Sequence, residues 1–315
     1  MRTKQWIKDN VPSLDGKTYI VTGANSGIGF EVTKILALKG AHVFMACRSK
    51  KRADEAIDSI KSFNKKAKLT FIEYDQADLA KIASFVQNLA KLDLNISGFV
   101  ANAGVYYPSK DAKTKQGYPL TFGVNFLGVY YLIKELVNNN ILKEDDTRLV
   151  LVGSLAASKH YPEDFEKWFH ESNASRNAQY NHSKGALKLL SLYLMNPTEF
   201  EFNDFKLPDK VKTYFIHPGI TNTNIIREAN GGFSGSFVKA GRNFLKIFFQ
   251  NPERAALTII TALISSEDGK NKVIHPRGLF AISGLPTIKN LNTDNMKYVP
   301  DFIYSVEKEL STNLI

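Results

Sequence analysis

The stretch Thr22-Gly23-Ala24-Asn25-Ser26-Gly27-Ile28-Gly29 decides how the rest of the chain is read. It follows an apolar, β-branched run, Tyr19-Ile20-Val21, and opens a helical pattern in which Ile28, Val32, Ile35 and Leu36 share a face. Gly40 then stands where such a helix would be capped. Strand, glycine turn and helix, in that order, form the setting in which closely spaced glycines bind phosphate. Glycines let the backbone turn sharply and admit a pyrophosphate to main-chain N–H groups, at the positive end of the helix dipole. The spacing is G-x-x-x-G-x-G rather than G-x-G-x-x-G. Taken alone it is no better than an ordinary tight turn, so its flanks carry the reading.

Working outward, a second strand, Ala41–Cys47, runs into Arg48-Ser49-Lys50-Lys51-Arg52. In dinucleotide folds an acidic residue about 20 positions past the glycines holds the ribose 2′-OH, whereas an Arg there accommodates a 2′-phosphate. Arg48 lies 19 positions beyond Gly29, and no Asp or Glu stands between Arg48 and Asp54. A carboxylate would repel the phosphate and a guanidinium can fork onto it. NADP(H) is therefore expected in preference to NAD(H). The alternative is that these are solvated charges opening the helix of Ala53, Ile57 and Ile60.

A third strand, Leu69–Tyr74, ends at Asp75, which suits either the side of an adenine ring or a turn. Asp78 is a candidate N-cap for a helix carrying Leu79, Ile82, Phe85, Val86 and Leu89. The fourth strand, Gly98–Ala101, runs into Asn102-Ala103-Gly104. Four alternations of strand and helix predict an α/β fold with a parallel sheet covered on both faces. Ligands should then lie beyond the C-terminal ends of the strands.

The segment Leu120–Ile133 is apolar almost all round, which predicts a buried helix, and it holds Asn125, whose amide would need partners there. Asn125 reads as a structural bridge or as part of a proton relay. A fifth strand, Arg148–Val152, ends at Gly153-Ser154. Beyond it comes Tyr180-Asn-His-Ser-Lys184, in which the phenol and the ammonium are four residues apart and share a helix face. A nearby ammonium stabilises phenolate and should lower the tyrosine pKa from about 10.

Composition bounds the reading. A length of 315 residues suits two domains or one α/β domain, and 43% hydrophobic residues suffice for a full core. One cysteine, Cys47, rules out an internal disulfide and fits a reducing compartment. Residues 1–10 have no apolar stretch of the secretory kind, and no uninterrupted apolar run approaches a membrane span. The formal net charge of +10 comes without an aromatic-basic motif, so no nucleic-acid partner is expected, while weak attraction to anionic lipid stays open. No metal site is read.

Together these residues resemble the short-chain dehydrogenase/reductase family, from about Asp15 to Thr223. Thr22-Gly23-x-x-x-Gly27-x-Gly29 is similar to its cofactor loop, within which Asn25, Ser26 and Ile28 also lie. Asn102-Ala103-Gly104 resembles the segment that steadies the central sheet. Asn125, Ser154, Tyr180 and Lys184 match the catalytic tetrad, and His217-Pro218-Gly219 with Thr221 matches the loop at the nicotinamide end. Val21–Gly29, Ala46-Cys47-Arg48 and Val124–Gly128 resemble the retinol-dehydrogenase-like branch, as does the long interval of 26 positions from Ser154 to Tyr180. Gln76 departs from the family, which usually has an apolar residue there.

The resemblance implies a single Rossmann-type domain over 1–315, a doubly wound sheet of about seven strands with helices on both faces. It would have an N-terminal extension (1–14), a substrate lid (about 220–250) and a tail (284–315) with a short helix. It implies a carbonyl reductase or alcohol dehydrogenase for a lipophilic ketone, aldehyde or alcohol. Tyr180 would be the general acid or base, Ser154 would hold the substrate oxygen, and Lys184 would tune Tyr180 and bond the cofactor ribose. Asn125, through a backbone kink and a water, would link Lys184 to solvent. A homodimer through the helices of Asn125 and Tyr180, and a cytoplasmic location, are further expectations. The region beyond Thr223 has its own pattern: Asn230–Gly235 is glycine-rich, and 233–249 interleaves Phe with Lys and Arg. That segment reads as a lid, as packing on the sheet edge, or as a membrane-surface contact. Gly278–Ile282 is expected to be the last strand, and Asp301–Leu310 an amphipathic helix docked on the core or on a second subunit. Rival functions are a non-catalytic NADP sensor or scaffold and a lipid-surface protein.

Overall fold

A computed structural model of the chain describes residues 3–106, 108–142, 146–157, 161–170, 174–200, 206–221 and 250–313. Seven strands run parallel: β1 (Thr18–Thr22), β2 (His42–Cys47), β3 (Lys68–Glu73), β4 (Gly98–Ala101), β5 (Arg148–Val152), β6 (Lys212–Ile216) and β7 (Lys272–Pro276). An eighth, β8 (Pro286–Asn290), pairs antiparallel with β7, and the sheet order is β3-β2-β1-β4-β5-β6-β7-β8. The order reverses between β1 and β4, which opens a crevice above their C-terminal ends.

The sheet is covered on both sides because its strands are apolar at both parities. Leu149 and Leu151 of β5 enter one core, and Val150 and Val152 enter the other. The second core holds α1 (Thr3–Asn10), α2 (Gly27–Leu38), α3 (Lys50–Phe63) and α9 (Pro252–Ile264). The first holds α4 (Leu79–Ala90), α5 (Leu120–Phe122), a π-helical turn (Gly123–Leu127), α6 (Gly128–Asn138), α7 (Glu166–His170), α8 (Arg176–Met195) and α10 (Val299–Asn313). Caps set several of these boundaries. Asp78 accepts from Ala80 N at 3.0 Å to start α4, and Asn251 accepts from Glu253 N at 3.0 Å to start α9, with Pro252 in its first turn.

The continuous helical stretch Leu120–Asn138 is long and apolar enough to cross a membrane, but 72% of its most apolar window is buried in the core. The C-terminal tail docks on the core of its own chain. Phe302, Ile303, Val306 and Leu310 of α10 are buried, with the Phe302 ring 5.1 Å from both Phe126 and Phe165. Glu307 adds an ion pair to Lys134 and a hydrogen bond from the Tyr130 hydroxyl.

One strand was misplaced by the sequence reading. Gly278–Ile282 is the connection of the β7–β8 hairpin, with a 3₁₀ turn at Leu279–Ala281, and the strands lie on either side of it. Phe280 and Ala281 have φ of 51° and 56°, a left-handed backbone that cannot continue a strand. The proposed lid or membrane segment, 233–249 within about 220–250, lies outside the described residues apart from Ile220, Thr221 and Gln250.

Candidate active site

The glycine loop is built as its composition demands. Gly23 and Gly27 have φ of 66° and 57°, which turns the chain from β1 into α2. At Gly29 a Cβ would stand 2.4 Å from Gly23 O and 2.6 Å from Asn102 Nδ2, so the first turn of α2 can approach only without a side chain. Ser26, the N-cap, makes no side-chain cap, which leaves the first-turn N–H groups to an anion. Beneath the loop, the Cys47 thiol has its pKa pushed up to about 11 by burial, against the pull of the nearby Ala24 and Asn25 N–H groups. It is a prop for the loop rather than a nucleophile.

Thr22 ties this loop to the next one. Its hydroxyl accepts from Asn102 N at 3.0 Å and Ala103 N at 2.9 Å and donates to Val100 O at 3.2 Å. Asn102 Nδ2 returns a bond to Thr22 O at 2.8 Å, which locks Asn102-Ala103-Gly104 beside the glycine loop. Asn125 holds the same segment from the other side: Val105 N donates to Oδ1 at 2.8 Å, and Nδ2 donates to Val105 O at 2.9 Å and Ser183 Oγ at 3.2 Å. Asn125 lies in the π-helical turn, and its side chain is a structural bridge between this segment and α8. Asp75 forms a turn, its Oδ1 accepting from Ala77 N at 3.1 Å.

Ser154 follows β5; its oxygen accepts from Ala156 N at 3.1 Å, and its hydroxyl lies close enough to the phenol of Tyr180 on α8 to hold that phenol's pKa down. Lys184, one turn further along α8, sends Nζ to Val152 O at 2.9 Å and lies 5.9 Å from the centre of the Tyr180 ring. No carboxylate among the described residues pairs with it, and burial lowers its pKa from 10.5 to about 8. The expected lowering of the tyrosine is not what this arrangement gives. Burial raises the Tyr180 phenol above its ordinary value, the Ser154 hydrogen bond opposes the rise, and Tyr106 adds to it. The ammonium is directed to a strand carbonyl, so desolvation of the phenol dominates.

The nicotinamide-end loop is clamped after β6. Gly219 N donates to His217 Nδ1 at 3.1 Å, which leaves Nε2 to donate to Ala281 O at 3.1 Å; burial and His275 lower the His217 pKa to about 4. Gln250 donates to Pro218 O and accepts from Gly284 N at 3.1 Å, and Thr221 bridges to Gln250. The Thr221 hydroxyl is buried and has no hydrogen-bond partner among the described residues. Arg48 stands exposed just past β2, and Asp54, the first carboxylate after it, bonds Lys50 at 2.7 Å.

Three residues of this site were not singled out for it in the sequence. Tyr106 stands edge-on to Tyr180, ring centres 4.7 Å apart at 79°, with its hydroxyl donating to Asn177 Oδ1 at 3.3 Å. Gln250 and the inward role of Thr22 were also missed, since neither has a local pattern. The glycine cradle, the uncapped helix terminus and, among the described residues, a Lys184 without a carboxylate and a Thr221 hydroxyl without a partner all fit a bound dinucleotide.

Comparison with known proteins agrees. The short chain dehydrogenase family model matches residues 17–232. A short-chain dehydrogenase/reductase of Phomopsis amygdali is 38% identical over 160 residues, 49% of this chain and 48% of that protein. Retinol dehydrogenase 14 of Mus musculus is 30% identical over 224 residues, 68% of this chain and 64% of that one. Retinol dehydrogenase 12 of Homo sapiens is 29% identical over 218 residues, 69% and 65% respectively. The match to the first of these spans about half that relative's length. Among solved structures, an uncharacterized protein of Mycobacterium paratuberculosis superposes with TM-score 0.68 at 21% identity over 97% of both chains. Levodione reductase superposes with TM-score 0.61 at 15% identity over 79% of this chain and 91% of that one. These two share the fold. The chain belongs to the short-chain dehydrogenase/reductase family of NAD(P)-dependent oxidoreductases, with retinol dehydrogenases among its relatives.

Proposed function

We propose that the chain is an NADP(H)-dependent carbonyl reductase or alcohol dehydrogenase for a lipophilic small molecule, with Tyr180 as its general acid and base. The observation that carries this reading is the Ser154 hydroxyl beside the Tyr180 phenol, with a buried Lys184 that pairs with no carboxylate among the described residues one helical turn away. When bound, the nicotinamide supplies or accepts the hydride. Ser154 then orients the substrate oxygen, and Tyr180 gives its proton to that oxygen in reduction or takes it in oxidation. Lys184 supplies positive charge where a cofactor ribose would lie and stabilises the phenolate left behind. Gly23, Gly27 and Gly29 would admit the pyrophosphate, and Pro218, Gly219 and Thr221 would hold the nicotinamide end.

Preference for NADP(H) is supported by Arg48 at the end of β2, with Asp54 engaged by Lys50. A lipophilic substrate is supported by exposed apolar side chains on two site loops, Leu155 beside Ser154 and Ile220 beside Gly219. The test is fluorescence titration with NADPH and NADH on wild type and Arg48→Glu, followed by a carbonyl screen with Tyr180→Phe as control. Tighter NADPH binding that Arg48→Glu abolishes, and turnover that Tyr180→Phe reduces by about 10²–10⁴-fold, are expected. Equal binding of both nucleotides would remove the NADP reading. A protein that binds NADPH but turns over no carbonyl or alcohol would leave the sensor alternative.

A further inference from the structure

Gln76 occupies a position where an apolar side chain would have sufficed for packing, and its amide is fully used. The side chain is 6% exposed. Its Oε1 accepts from the Tyr74 hydroxyl at 2.9 Å. Its Nε2 donates twice, to Ala103 O at 3.1 Å and to Val124 O at 2.5 Å. The second of these acceptors exists because of the π-helical turn. Gly128 N donates to Gly123 O, five residues back, and not to Val124 O, the acceptor of a regular α-helix. Val124 O is thereby released from the ladder, and Gln76 takes the place of the missing N–H. Gly128 lets the two elements approach, for a Cβ there would stand 2.5 Å from Gln76 O and 2.8 Å from its Cγ.

The neighbours of these acceptors are the residues of the site. Ala103 belongs to the segment locked to Thr22, and Val124 precedes Asn125, whose amide reaches Val105 and Ser183. Ser183 adjoins Lys184 on α8. We propose that Gln76 is a positioning residue that couples the turn after β3, on the adenine side, to the π-helical turn that holds Asn125 and the catalytic face of α8. This rests on the dehydrogenase reading of the site. Nucleotide seated against the Asp75–Gln76 turn is then felt at Asn125 through one side chain.

Two variants of similar size separate this role from packing. Gln76→Met keeps bulk and removes both donors; Gln76→Glu keeps shape and turns a carboxylate oxygen toward two carbonyls. Each is assayed for NADPH affinity, for kcat and KM, and by hydrogen exchange of 123–130 with and without saturating NADPH. In wild type, NADPH should protect both the glycine loop and 123–130. In both variants protection of the glycine loop should persist, protection of 123–130 should be lost, and kcat should fall about tenfold with NADPH affinity changed less than about threefold. Unchanged kcat and unchanged protection of 123–130 in Gln76→Met would overturn the inference, as would loss of thermal stability alone. If wild type binds no NADPH, the dehydrogenase reading fails separately. Exchange at 123–130 in the nucleotide-free variants then still decides whether Gln76 holds the π-helical turn: faster exchange supports that hold, and an unchanged rate refutes it.

Discussion

Lys184 should destabilise the protein that it serves, and the size of that cost can be worked out. Its ammonium is buried, bonded to Val152 O, and without a carboxylate among the described residues. Burial lowers its pKa from 10.5 to about 8. At 1.36 kcal/mol per pH unit, the fall from 10.5 to about 8 places about 3 kcal/mol against the folded state at pH 7, where both states carry the proton. Lys184→Met removes that charge and keeps most of the stem, but leaves Val152 O unpaired at a cost of about 1–3 kcal/mol. In the absence of nucleotide the variant should therefore be as stable at pH 7 or more stable by up to about 2 kcal/mol, and inactive. The sign reverses with pH. Between pH 8 and 10.5 the unfolded chain holds a proton that folded wild type has released, so wild-type stability rises across that window and the advantage of Lys184→Met disappears. Urea unfolding of both proteins at pH 7 and pH 10 measures this, since other titrating groups cancel in the difference. A variant less stable than wild type at pH 7, or a gap independent of pH, would refute the reasoning.

Three other outcomes are expected. Gly29→Ala brings a Cβ to 2.4 Å from Gly23 O and should weaken NADPH binding at least about tenfold, about 1.4 kcal/mol, in a fluorescence titration. Tyr106→Ala removes a ring that stands against Tyr180 and raises its pKa, so the basic limb of the kcat/KM profile should move to lower pH; an unmoved limb would show that Tyr106 does not reach the phenol in the working enzyme. Phe302→Ala empties a fully buried site between Phe126 and Phe165 and should cost about 3–5 kcal/mol in chemical unfolding, which tests whether α10 is part of the core.

Much of this molecule could be read from the sequence because short-range physics dictates it. Gly23, Gly27 and Gly29 mark backbone geometry that a side chain would forbid, and Asp78 caps its helix within two residues of itself. Apolar residues at both parities declare strands covered on both faces. Tyr180 and Lys184 share a face by helical period alone. The failure at Gly278–Ile282 has the same origin: Leu279, Phe280 and Ile282 have strand composition, but the pairing of β7 with β8 makes them a hairpin connection, with positive φ at Phe280 and Ala281. Composition records preference, and pairing partners decide.

What the sequence did not disclose is of another kind. Thr22 meets Asn102 across 80 residues, Gln76 meets Val124 across 48, and Gln250 meets Gly284 across 34. Such bonds leave no periodic trace, so Gln76 registered only as a polar residue where an apolar one was expected. In the fold that departure has a partner. The π-helical turn frees Val124 O, and a buried carbonyl without a donor is costly enough that some donor must be supplied. An apolar residue at 76 would leave Val124 O and Ala103 O to other donors, whereas glutamine satisfies both and accepts the Tyr74 hydroxyl besides. The polar exception and the irregular helix are thus one feature seen from two ends. Neither is intelligible until the chain has brought them together.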